Sequence, residues 1–198
     1  MSDHNAVGIR PAHEIFYLES MLIVTSAALD ASDRVVDALA EGANHEPESN
    51  EWQECTYDIM HGVHTLAVQA GALHRYFWPV RNNARHRARA EMLRHSLGVD
   101  DNDLLQAKGL RDCLEHFDEQ LDKYLSNAGD QVVKLAYVGS LANYEAQGCV
   151  TFRAFFTDVG VFEVLGLRLE MQPVLDEVRR VHNLIVECLQ DGGRLPEP

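Results

Sequence analysis

Two long stretches with apolar residues at helical spacing, separated by one short polar segment, constrain this chain more than any other feature. Between residues 14 and 41 the apolar positions Ile15, Leu18, Leu22, Leu29 and Val36 recur with a period close to seven, which predicts a long amphipathic helix. Gly42 is a natural stop, and the polar segment from Gly42 to Asn50, which holds Pro47, reads as a loop. A second helix is expected from near Glu51, burying Ile59, Val63, Leu66, Ala70, Leu73 and Phe77 before Pro79 ends it. So short a connection makes the first two helices antiparallel partners.

A shorter helix fits Ala84 to Leu97, with Gly98 as its cap, and Asp100-Asp101-Asn102-Asp103 offers N-cap candidates for the next element. Leu110, Leu114, Phe117, Leu121 and Leu125 share one face of a fourth helix running to about Ser126. Arg111, Glu115, Asp118 and Asp122 then lie off that face, and Gly109 permits a helix break just before them.

From Val132 the period changes. Val132 to Val138, Val150 to Phe156 and Val161 to Leu167 are rich in β-branched and aromatic residues, and Asp158-Val159-Gly160 is a turn candidate between the last two. They predict a small antiparallel hairpin, with room for a third strand. Pro173 then opens a final helix with Val174, Val178, Val181, Ile185 and Leu189 on one face, and the tail after Gly192-Gly193 is expected to fray. The expected fold is therefore mainly α: an antiparallel bundle of four or five helices with a small β-hairpin inserted before the C-terminal helix. At 198 residues the chain suits one domain, with the bundle over about 14–130, the hairpin appendage over about 131–169 and the last helix over about 172–190.

Composition narrows the function classes. The chain is 46% hydrophobic and 24% charged, which excludes wholesale disorder. No basic, apolar leader opens the sequence, and no run of about 20 apolar residues is evident, so a cytoplasmic protein without membrane contact is expected. Cys55, Cys113, Cys149 and Cys188 lack CxxC spacing, which argues for reduced, mostly buried thiols over zinc or disulfides. The net charge of −14 disfavours nonspecific binding to nucleic acid. Basic residues are nonetheless concentrated between Arg75 and His95, where only Glu91 opposes them. Arg81, Arg85 and Arg89 are the ones best placed to hold RNA phosphates, and the plain alternative is a solvated helix face. No phosphate-cradling glycine loop and no GxSxG elbow occurs.

An Arg followed by four or five residues and a His occurs as Arg81 to His86, Arg89 to His95 and Arg111 to His116. Spacing alone does not choose among them. Arg111 to His116 lies on the strongly amphipathic fourth helix and has Asp112 beside the Arg. A His can move a proton at a ribose 2′-OH or a leaving oxygen, and an Arg can hold the charge that builds on phosphate. The run Leu110-Arg111-Asp112-Cys113-Leu114-Glu115-His116-Phe117-Asp118-Glu119 resembles the signature helix of HEPN domains, in particular those of abortive-infection-like and uncharacterised bacterial proteins. The resemblance implies a helical bundle whose Arg-x4-His motif meets its copy in a homodimer and cleaves RNA without a metal. It makes Arg111 and His116 catalytic and Asp112 supportive, where Asn is the commoner residue. It also implies a toxin or antiphage-defence role with an antitoxin or other protein partner, and no cofactor.

Three other readings compete. Arg111 can pair with Glu115 at i,i+4, leaving His116 an ordinary surface or interfacial residue. The bundle can serve as a noncatalytic binding or dimerisation module. His61 and His64 stand at i,i+3 on the second helix, with Glu54 and Asp58 upstream and His13 or Glu14 on the first helix, and such groups build metal sites in bundles.

Overall fold

A computed structural model describes residues 8–47, 49–81, 83–100, 116–129, 131, 133–148 and 150–196. The chain is mostly helical, with a small sheet near the C-terminus. After a 3-10 turn at Pro11–His13 come α1 (Glu14–Gly42), α2 (Asn50–Phe77) and α3 (Ala84–Leu97), then α4 (Phe117–Ala128) and the short α5 (Leu141–Ala146). The last helix, α6, spans Met171–Gln190. Local chemistry fixes several ends. Ser49 caps α2 by accepting the Trp52 N–H at 3.1 Å, Asn83 caps α3 by accepting the His86 N–H at 2.9 Å, and Gly98 closes α3 in the left-handed region at φ 54°. Pro173 falls within the first turn of α6, where its missing N–H has no intrahelical acceptor to lose.

α1 and α2 run antiparallel. Gly42 lies against Trp52 and Cys55, Ala31 and Val35 lie against Gly62, and Ser20 meets Tyr76 through their hydroxyls. All six apolar residues expected on α2 are buried. On α1 the expected face is partly wrong. Leu18 is buried, but Ile15 and Val36 are exposed, while Leu22 and Leu29 are only half-buried. The buried face instead runs through Met21, Thr25, Ala28, Ala31, Ser32 and Val35. Small side chains occupy it because the two backbones approach closely at Gly62. α6 also packs on α1, where Thr25 Oγ1 bonds His182 Nδ1 at 3.0 Å, and beyond its end Arg194 Nε and the Leu195 N–H donate to buried Glu14. By length and composition alone, Pro11–Gly42 is long and apolar enough to cross a membrane.

The sheet is larger than the hairpin expected. The strands are β1 (Val133–Lys134), β2 (Tyr137–Gly139), β3 (Val150–Thr151), β4 (Arg153–Phe156), β5 (Val161–Val164) and β6 (Leu167–Glu170), with β1 and β3 forming a separate two-stranded pair. The expected hairpin exists as antiparallel β4 and β5, with Phe156 opposite Val161 around the 157–160 turn. The expected strand from Val161 to Leu167 is broken by a tight turn at Leu165 and Gly166, both at positive φ, and β6 returns antiparallel to β5. β2 joins the other edge parallel to β4, giving the order β2-β4-β5-β6, and β1 pairs parallel with β3. Phe155, Phe162, Val164 and Leu169 enter the core that the helices share, while Ala154 and Phe156 face Tyr144 in a smaller cluster on the opposite side. Glu163 sits directly across from Arg168, which donates to it at 2.6 Å.

Candidate functional site

Of the expected catalytic trio, Arg111 and Asp112 lie outside the described residues. So do Leu110, Gly109, Leu114 and the proposed Arg111–Glu115 pair, as well as Cys113 and Cys149. His116 is described. It occupies the N-cap position of α4, is exposed, and caps nothing with its side chain. The next residue, Phe117, is half-buried and packs edge-on against Phe152, with ring centroids 5.1 Å apart. At the other end of α4, Tyr124 donates to the Thr151 carbonyl at 2.7 Å. The helix is thereby held to the strands at two points, and the backbone of His116 is fixed while its ring stays in solvent. Leu121 is half-buried and Leu125 exposed, so the apolar face of α4 is only partly used by the described core.

A residue absent from the sequence reading lies beside this point. Arg153, the first residue of β4, is on the same side of its strand as Phe155, which faces the helices. Its guanidinium carbon lies 5.5 Å from the Phe117 ring centroid and 4.9 Å from that of Phe152. Its Nε is sealed from solvent without a hydrogen-bond partner, and burial lowers its pKa. His64 lies on α2, which packs on β4, and burial, then Arg153 and His61, hold its pKa below the usual imidazole value. Tyr57, His61 and His64 follow one another at four and three residues, so they share a face of α2. The only sequence signal for Arg153 was a lone cation inside an apolar strand.

The arginines between the second and third helices divide. Arg81 and Arg85 are exposed. Arg89 is half-buried, donating from Nη2 to the Arg75 carbonyl at 3.3 Å, with its Nε enclosed and unbonded. Arg94 is taken up by structure, bonding the Phe77 carbonyl at 2.6 Å and lying over the Trp78 ring. The basic stretch is therefore not a uniform face.

The bundle metal site does not assemble among the described residues, where no group of three or more His, Cys, Asp or Glu side chains is placed to share an ion. Glu14 is engaged by Arg194 and His13 is exposed. Cys55 and Cys188 are free, buried thiols whose pKa burial pushes up. No family model, no curated protein and no solved structure matches the chain.

Proposed function

We propose that this chain is a HEPN-like, metal-independent endoribonuclease that works as a homodimer, with His116 and Arg111 as its catalytic residues and Asp112 orienting one of them. The observation that carries the reading is the setting of His116: an exposed imidazole with no partner among the described residues, at an anchored helix end, next to the residue on which an arginine stacks. In the reaction, one His takes the proton of the ribose 2′-OH as that oxygen bonds to phosphorus. The P–O5′ bond breaks, and the departing oxygen receives a proton from the second His. Arg111 holds the charge on the pentacoordinate phosphate, and the products are a 2′,3′-cyclic phosphate and a free 5′-hydroxyl. A two-fold pairing of the motif supplies both proton-transfer groups.

The test is incubation of purified protein with single-stranded RNA in EDTA. Cleavage that survives chelation and leaves cyclic phosphate ends is expected. Activity that returns only with a divalent metal would overturn this mechanism, and a folded, inert protein would point to a binding module.

An acidic molecule must receive RNA where arginines outnumber carboxylates. Neutralising Arg81, Arg85 and Arg89 together is expected to weaken RNA binding and to flatten its salt dependence, since fewer counterions are released. Arg81 and Arg85 should account for most of the change, because Arg89 is partly committed to the Arg75 carbonyl. Filter binding at several salt concentrations reads both quantities. An unchanged affinity and slope would leave these arginines as ordinary surface.

A further inference from the structure

A half-buried cation with no counter-charge calls for an explanation, since burial costs a charge far more than it costs a neutral group. Among the described residues Arg153 has no carboxylate partner and no hydrogen bond; its neighbours are the faces of Phe117 and Phe152. Ring faces attract a guanidinium, yet they accept none of its N–H groups in the plane where a carboxylate or phosphate would. His64 adds a second uncompensated group at the same place, with a ring Nδ1 also enclosed and unbonded. His61 and Tyr57 follow on the same side of α2, both exposed and able to donate. Arg153 and His64 therefore face one another's elements where α2 packs on β4, and no described acidic side chain is paired with either, although Glu54 and Asp58 flank Tyr57 and His61 farther out on α2.

We propose that Arg153 and His64 form a binding site for a phosphate group, with His61 and Tyr57 at its open side. A phosphate fits better than a carboxylate because it offers three or more acceptor oxygens and up to two charges to a set of donors spread over two elements. The assignment stands on these residues alone and does not depend on RNA cleavage. Should both hold, the site would grip a phosphate of the same strand next to His116, whose neighbour Phe117 carries the Arg153 guanidinium.

The experiment follows the His64 imidazole by NMR, assigned through His64→Asn, while inorganic phosphate or a short single-stranded RNA is added. An anion seated between Arg153 and His64 should raise the His64 titration midpoint by roughly one unit or more, reversing the direction that burial and Arg153 impose. RNA acting at far lower concentration than inorganic phosphate would assign the group to a polynucleotide. Equal or better response to phosphate would assign it to a small phosphorylated molecule. In Arg153→Met the response should be lost, while thermal stability without phosphate stays near that of the parent, because an unpaired buried cation has been replaced by an apolar chain of similar reach. Phosphate should raise the melting temperature of the parent and not of Arg153→Met. A His64 signal unmoved by either ligand in the parent, or moved equally in Arg153→Met, would overturn the site. These readouts need no cleavage, so they fail or succeed separately from the ribonuclease assignment.

Discussion

Gly62→Val should leave the chain largely unfolded at temperatures where the parent is intact, and Gly62→Ala should already lower its stability measurably. A Cβ placed on Gly62 would lie 2.5 Å from Val35 Cγ2 and 2.9 Å from the Ala31 carbonyl oxygen. The first contact could be eased by a rotamer change. The second cannot, because a backbone oxygen inside a helix moves only if α1 moves. Separating α1 from α2 would loosen the contacts of Ala28, Ala31 and Val35 together with Ile59, Val63 and Leu66, all part of one buried cluster. Overpacking of this kind costs about 1–3 kcal/mol for small additions, and more when the backbone must shift. Alanine gains roughly 1 kcal/mol of helix propensity over glycine, which offsets part of the loss, so the alanine variant should be the milder one. Denaturant melts of both variants check this. If Gly62→Ala is as stable as the parent, the two helices are not in the close contact described.

That same contact explains where the sequence misleads. Hydrophobic periodicity locates α2 and α6 because most of their core positions are large and apolar, whereas α3 is marked by Gly98 at its end. On α1 the strongly apolar Ile15 and Val36 point outward, while Ala28, Ala31 and Ser32 line the seam. Small residues at a close helix crossing carry little hydropathy, so periodicity favours the larger residues beside them. The sheet was hidden for a different reason. A turn with Leu165 at φ 51° lacks the Asn-Gly signal expected of a two-residue hairpin loop, so β5 and β6 read as one strand. The parallel pairing of β2 with β4 is non-local and has no local signature. At the candidate site, His116 is legible from the motif, but the expected helix through it is not continuous: the described helix starts at Phe117, and His116 is its N-cap with non-helical backbone. Arg153 and His64 come together only through tertiary structure, from elements far apart in the chain, and no spacing rule could join them.

His116→Ala should lower RNA cleavage by about 100-fold to 10,000-fold, the range expected when a group that moves a proton in the transition state is lost. The variant should remain folded. His116 is exposed, makes no capping hydrogen bond and stands outside the core, while Phe117 and Tyr124 hold α4 in place without it. A change in activity with unchanged circular dichroism and melting temperature therefore reports chemistry and not collapse. Arg111→Ala should lose nearly as much activity. Mixing the two inactive variants then separates a composite site from two independent ones. If the motifs of two protomers face one another, a heterodimer of His116→Ala with Arg111→Ala retains one Arg and one His in a shared cleft, and partial cleavage should return as subunits exchange. Light scattering should give twice the chain mass for the parent and both variants. Cleavage by His116→Ala at the parent rate would remove this residue from the mechanism. A strict monomer at micromolar concentration would leave half a site, and with it the binding-module reading.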